Sequence, residues 1–263
     1  MNLRQAIVDH YGPVTAQNYD QMARTLFWAY PESLEAMVME VRYGRREDPA
    51  HPRRIRSVLD LGIGTGNLSL RLATALLEDA WSSEDPPLEW VGFDASPHMM
   101  AVAESKLGAH RGVRFRTEQG AFTALEERLG ARRFDCIVSS YAIHHLDGAG
   151  KAALFRVLYR LLEPGGLLVV GDKMLPPGSG PGPTRLRRDY HAVLAARCLS
   201  GLRRSSPGLT LPQVMRDLQA GFDADGDQPS SVEEHVAWLR EAGFQDVRNP
   251  FFSFGCAVVS AEK

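Results

Sequence analysis

Arg56-Ser57-Val58-Leu59-Asp60-Leu61-Gly62-Ile63-Gly64-Thr65-Gly66-Asn67-Leu68-Ser69 decides the fold of this chain. Val58, Leu59 and Leu61 form the short apolar run of a parallel strand covered on both faces. Gly62, Gly64 and Gly66 allow a sharp turn and the approach of a ligand without a Cβ in the way. Leu68, Leu70, Leu72 and Ala73 carry the pattern into a helix whose free N–H groups face the turn. Dinucleotide folds use G-x-G-x-x-G, and counting from Gly62 that third glycine falls on Asn67. The spacing here is G-x-G-x-G, preceded by Asp60. A nucleotide-like ligand is the expectation, with an ordinary α/β loop as the bland alternative.

The strands that follow strengthen it. Leu88 to Phe93 reads as a second strand ending at Asp94-Ala95-Ser96-Pro97, where Ser96 caps a helix beginning at Pro97. A carboxylate at that strand end, Asp94, is where a doubly wound fold grips a ribose diol. Val113 to Arg116 is a third strand, followed by Gln119, Gly120, Ala121 and Phe122, an amide and an apolar ring suited to adenine. Phe134 to Val138 is a fourth, running into Ser139-Ser140-Tyr141-Ala142-Ile143-His144-His145 at the crevice where strand order reverses. The helix marked by Leu154, Leu158, Leu161 and Leu162 is expected to stop at Pro164-Gly165-Gly166, before a fifth strand, Leu167 to Gly171, and Asp172-Lys173.

Outside these units the chain is helical. Tyr19, Met22, Ala23, Leu26, Phe27 and Tyr30 recur at helical spacing, and Pro31 opens a second helix. This aromatic arm is expected to pack over the site's rim. Arg42 to Arg56 reads as a solvated linker, with RNA contact as its alternative, and Glu78 to Pro87 as a surface loop. Pro176 to Pro183 reads as a hinge, followed by two helices, the exposed acidic turn Asp223 to Pro229, and a capping box at Ser231 to Glu234. Phe244 to Phe252 and Ser253 to Ala261 read as a closing strand pair.

At 263 residues the chain suits one α/β domain with insertions, and its net charge of −2 exerts no global pull on nucleic acid. Cys136, Cys198 and Cys256 are odd in number and scattered, which suits a reducing cytosol rather than a disulfide framework or zinc ribbon. No signal peptide and no run of roughly 20 apolar residues is visible, so a cytoplasmic protein without a membrane span is expected.

The strand–helix order with a final hairpin resembles the class I S-adenosylmethionine-dependent methyltransferases. Asp60 to Gly66 resembles their first motif, Asp94 their ribose-binding acid, Pro164-Gly165-Gly166 the turn before their fifth strand, and Arg240 to Phe244 the lead-in to their hairpin. Tyr19-Asp20, Tyr30-Pro31, Ser140, His144-His145 and the tail Phe251 to Val259 resemble a branch that holds the type 12 small-molecule enzymes and the tRNA wobble-uridine carboxymethyltransferases. The resemblance implies a doubly wound, mostly parallel, seven-stranded α/β sheet with a closing antiparallel hairpin. Residues 1–56 would be a helical arm and linker, and residues 57–263 the methyltransferase domain with a helical lid at about 173–230.

The cofactor implied is S-adenosyl-L-methionine. The candidate binding set is Tyr30, Gly62, Gly64, Gly66, Asp94, Ala95, Met99, Gln119, Gly120, Ala121 and Ser140. Gln119 stands where an acid is common. His144, His145 and His191 are candidate bases, and Tyr141 is a candidate aromatic face for the sulfonium. Each histidine could instead be a hydrogen-bonded rim residue. No metal site is expected, because adjacent histidines on a strand end diverge and no third ligand shows at fixed spacing. Asp172-Lys173 reads either as a strand-end ion pair or as a substrate-facing pair. The leading expectation is methyl transfer to O, N or C of a small molecule. A tRNA-modifying enzyme using Arg185, Arg187, Arg188, Arg203 and Arg204, and a non-catalytic cofactor-binding protein, are its alternatives, and a homodimer stays open.

Overall fold

The computed structural model describes residues 11–27, 29–44, 55–80, 85–176, 185–202 and 208–263. Most of the expected hinge and of the Arg-rich linker lies outside these residues, as do Arg203, Arg204 and the side chains of Arg185, Arg187, Arg188 and His191.

The quoted stretch forms β1 (Ser57–Leu61), a glycine turn and helix α3 (Asn67–Ala80), preceded by α1 (Pro13–Leu26) and α2 (Tyr30–Tyr43). Then come β2 (Leu88–Asp94), α4 (Pro97–Leu107), β3 (Val113–Gln119), α5 (Leu125–Leu129), β4 (Phe134–Ser140), α6 (Gly148–Leu161) and β5 (Leu162–Lys173). Helices α7 (Arg185–Leu202), α8 (Leu211–Asp225) and α9 (Val232–Glu241) precede the hairpin β6 (Gln245–Ser253) and β7 (Cys256–Glu262). The sheet has seven strands in the order β3-β2-β1-β4-β5-β7-β6. β1 to β5 pair in parallel, and β7 runs antiparallel to both β5 and β6.

Alternation along β1 explains the two layers. Val58 faces one core with Trp90, Cys136 and Leu167, covered by α2, α3 and α4. Leu59 and Leu61 face the other with Val91, Phe93 and Ile137, covered by α5, α6 and α9. Trp90 Nε1 donates to Ser69 Oγ at 2.8 Å and Ser69 Oγ donates to Asp60 Oδ2 at 2.6 Å, so the first turn of α3 is locked to β1 and β2. Met37 of α2 fits over Gly171, where any Cβ would come within 2.4 Å of its sulfur.

Two expectations are corrected. The helix before the fifth strand ends at Leu161, and β5 already includes Pro164-Gly165-Gly166. Leu162 is extended and pairs with Phe134, while Gly165, at φ +74°, takes the turn inside the strand. The third strand runs on to Gln119, because its full length pairs with β2.

Helices α7 and α8 share a small core of Leu194, Ala195, Cys198 and Val214, and α7 also packs against α1. No helix among the described residues is long and apolar enough to cross a membrane.

Candidate active site

The carboxyl ends of β1, β2 and β4 surround a cavity of about 480 Å³. Helices α1 and α2 form its outer wall with Tyr11 just ahead of α1, Tyr19 and Tyr30. Its position is the crevice that opens where strand order reverses, between β1 and β4.

Gly62, Gly64 and Gly66 have φ of +70°, +54° and +77°, a conformation costly for other residues. Their surroundings differ. A Cβ on Gly62 would sit 2.3 Å from Ala142 Cβ, so the turn after β1 lies directly against the end of β4. A Cβ on Gly64 would meet only Met99 Cε at 3.7 Å and the Gly62 carbonyl at 4.0 Å, so this glycine leaves room at the cavity. Gly66 does not line the cavity. It packs on Ala103 and Leu107 of α4, which gives it a helix-packing role.

Asp94 holds the turn in place. Its Oδ2 accepts from Gly64 N–H at 2.8 Å and its Oδ1 from Ser96 N–H at 2.9 Å. Burial pushes its pKa up, opposed by these backbone N–H groups. Each carboxylate oxygen keeps a second lone pair for a hydroxyl donor. Gly120, Ala121, Phe122, Ala95 and Met99 line the same end, and Ser140 lies at the end of β4. Gln119 does not join them. Its side chain is exposed, and its amide N–H donates to the Ala95 carbonyl at 3.0 Å.

Asp60 went unassigned in the sequence although it precedes the glycines. Its Oδ2 accepts from Ser69, while its Oδ1, also buried, has no hydrogen-bond partner among the described residues. Burial, with Asp94 nearby, raises its pKa to about 7. An orphaned carboxylate oxygen lining a cavity is suited to a cationic donor.

S-adenosylmethionine carries a sugar diol, a flat base and an ammonium group. Asp94, the apolar end around Phe122 and Ala121, and the orphaned Asp60 oxygen match those three features, so the residues present fit this group.

Aromatic rings close the outer wall. Phe27 stacks on Tyr141 with centroids 5.2 Å apart and an interplanar angle of 14°, and Tyr30 tilts against the same ring at 5.2 Å. The Tyr141 hydroxyl is held by Ser33 Oγ at 3.1 Å and Cys256 Sγ at 2.9 Å, so only its ring can serve the cavity. Asp20, part of the quoted Tyr19-Asp20 pair, ties the arm to the turn. It accepts from Thr65 Oγ1 at 2.6 Å, Asn67 Nδ2 at 3.0 Å and Lys106 Nζ at 2.7 Å. Asn67 Nδ2 also donates to Tyr30 Oη at 3.1 Å. Burial raises the Asp20 pKa, but these donors outweigh it and the net shift is down.

The histidines follow β4 on a short 3-10 turn, Ile143–His145. That turn brings their rings to 4.3 Å between centroids instead of letting them diverge, which corrects the sequence argument. His145 lines the cavity and its Nε2 lies 3.5 Å from the Tyr11 hydroxyl. His144 stands behind it, away from the cavity lining. Its Nδ1 is 2.5 Å from Asp172 Oδ1, and its backbone N–H donates to Asp172 Oδ2 at 2.9 Å.

Asp227 approaches both rings, and Lys173 Nζ meets its other oxygen at 2.6 Å. The Asp227 side chain is only 3% exposed, although Gly226 and Gln228 on either side of it are exposed, so the turn points this one carboxylate inward. Nothing local in the sequence signals this, since the contact is made across 83 residues. Burial lowers the His144 pKa, but Asp172 outweighs it and the net shift is up. Burial and the charge of His144 bring His145 down to about 3, so it is neutral near pH 7. Burial raises both Asp172 and Asp227, yet their cationic neighbours pull both below the usual carboxylate range.

Comparison with known proteins agrees with this geometry. Residues 58–166 match the family described as a methyltransferase domain. The chain is similar to a demethylmenaquinone methyltransferase of Thermus thermophilus, 34% identical over 227 residues, covering 84% of this chain and 88% of the relative. It is also similar to a carboxy-S-adenosyl-L-methionine synthase of Chromohalobacter salexigens, 28% identical over 202 residues, covering 76% of this chain and 66% of the relative. Among solved structures, human N-acetylserotonin methyltransferase in complex with S-adenosylmethionine shares the fold with a TM-score of 0.58 at 15% identity, covering 100% of this chain and 60% of that one. The glycine turn, the strand order and these similarities converge: the chain belongs to the class I S-adenosylmethionine-dependent methyltransferases.

Proposed function

We propose that the protein moves a methyl group from S-adenosylmethionine to an oxygen, nitrogen or carbon of a small-molecule acceptor. One observation carries the reading: a single cavity is lined by Gly64 and Asp94 and also by His145 and Tyr11, so one enclosure can serve donor and acceptor. When bound, the cofactor supplies an already activated methyl group. The chain's work is then placement and exclusion of water, which is worth roughly 7–11 kcal/mol in the best cases. Asp94 would hold the sugar diol, Asp60 the ammonium, and the faces of Tyr30 and Tyr141 the cationic end. His145 meets the acceptor, and His144 acts through Asp227 as a positioning residue.

Within the family we place the chain with the small-molecule enzymes of the type 12 branch rather than the wobble-uridine carboxymethyltransferases. The outer wall of Tyr11, Tyr19 and Tyr30 supports this, because aromatic rings line the cavity on the side of the helical arm. The similarity to an enzyme of demethylmenaquinone supports it too. We further assign the arm and the 173–230 insertion a shared lid role, supported by the packing of α1 on α7.

The test incubates the protein with methyl-labelled cofactor and a panel of phenols, hydroxyquinones and amines, with bulk tRNA as a further arm. Label on a small acceptor supports the reading. Label on tRNA, or tight cofactor binding with no transfer to any acceptor, overturns it.

A further inference from the structure

Three buried side-chain atoms gather beside the cavity without hydrogen-bonding one another. His144 Nε2 lies 3.2 Å from Asp227 Oδ1, and His145 Nδ1 lies 3.5 Å from the same oxygen. None of the three has a hydrogen-bond partner among the described residues. Their side chains are only 2%, 9% and 3% exposed. The 3.2 Å approach of His144 to Asp227 is an ion pair only while that ring is protonated, and a bound cation would take the place of the proton. Buried polar atoms in such a state need another partner.

We propose that His144 Nε2, His145 Nδ1 and Asp227 Oδ1 bind one divalent transition cation of the zinc or iron(II) class. Two imidazoles and one carboxylate are a donor set such ions take. Bonds of about 2.0–2.2 Å to a tetrahedral ion put ligand atoms about 3.3–3.6 Å apart. Two of the observed separations already fall near that range, and the third is no wider than 4.8 Å, so a small inward turn of one ring closes the set.

The surroundings support binding. Asp172 holds His144 Nδ1, the arrangement that orients a metal-bound imidazole and leaves Nε2 as the donor. Lys173 occupies Asp227 Oδ2, which leaves Oδ1 as a single ligand atom. The lysine charge opposes a nearby cation, and Asp172 and Asp227 together offset it.

The ion would act as a clasp. Asp227 belongs to the segment after α8, which already meets the turn through Gln228 N–H donating to the His144 carbonyl at 2.7 Å. Lys151 holds the same segment through the Gln228 carbonyl and Ser230 Oγ. An ion would add a bond from the end of the insertion to the end of β4. Its consequence for the acceptor wall rests on the methyl-transfer reading, whereas its binding does not.

Tag-free full-length protein, stripped with a chelator and dialysed, is titrated with Zn²⁺ by calorimetry and with Co²⁺ by visible absorption. One equivalent per chain and a saturable Co²⁺ ligand-field band are expected. Asp227→Ala and His144→Ala should abolish both while S-adenosylhomocysteine binding and circular dichroism persist. Asp172→Asn should weaken binding about 10–100-fold. If these variants unfold, the Co²⁺ titration of the parent decides alone. A folded parent with no saturable binding of either ion, or Asp227→Ala with unchanged stoichiometry, overturns the clasp. Label transfer measured on the same samples separates the two readings: transfer without ion binding overturns the clasp only, and ion binding without transfer overturns the proposed function only.

Discussion

The Asp94 carboxylate accepts the Gly64 backbone N–H at 2.8 Å, so the residue suited to the ribose also sets the shape of the glycine turn. Removing it has two consequences that separate. Asp94→Ala loses the acceptor for Gly64 and Ser96 as well as the diol contact, and S-adenosylhomocysteine binding should fall by about 100-fold or more. Asp94→Asn keeps one accepting oxygen and should lose about tenfold. Calorimetric titration of both variants measures this, and Asp94→Ala binding like the parent would refute the assignment.

Gly62 is constrained twice, by its φ of +70° and by Ala142 Cβ, 2.3 Å from where its own Cβ would be. Gly62→Ala should destabilise the protein by about 2–4 kcal/mol, from left-handed strain plus overpacking. Ala142→Gly in the same molecule removes the clash and leaves the strain, so it should recover about half. Thermal unfolding of the single and double variants reads this, and no recovery would place the whole cost in the backbone.

Asp60 titrates near pH 7 in the free protein, well above an unfolded aspartate. Its neutral form is therefore the one folding favours, and its contribution to stability is full at low pH and lost as pH rises through about 7. Binding an ammonium group asks for the opposite, charged form. Affinity for S-adenosylhomocysteine should rise by up to about tenfold per unit as pH climbs toward 7, then level off. Asp60→Asn should flatten that rise. Parallel binding profiles for parent and variant between pH 5.5 and 8 would remove Asp60 from the ammonium site.

Asp20 gathers Thr65, Asn67 and Lys106, and through Asn67 reaches Tyr30, so the arm is fastened to the turn at one partly exposed carboxylate. Asp20→Ala should cost about 1–2 kcal/mol after solvent screening. It should raise the cofactor KM several-fold with a smaller change in kcat, because the wall loosens while the acceptor end is untouched. Faster proteolytic cleavage between α1 and α2 should accompany it, and an unchanged KM would show that the arm needs no such tie.

Reading β1 from the sequence worked because burial on both faces of a parallel strand imposes an apolar run, and Gly62 and Gly64 mark a turn that side chains would block. Asp94 was legible for the same reason, since it ends a strand whose position follows from that run. At Gly66 and Gln119 the residue type alone does not say what the position meets. Gly66 meets Ala103 and Leu107, and the Gln119 amide meets the Ala95 carbonyl. The histidines misled because a 3-10 turn, not a strand, carries them.

The sequence by itself determined the order of strands and helices, the glycine turn and the acid that accompanies it, because each follows from interactions between residues close in the chain. Only the tertiary structure decided that Asp227 buries its carboxylate against His144 and His145 and that Asp20 fastens the arm. Those contacts join segments tens of residues apart, and their partners are chosen by which surfaces the packed sheet brings together.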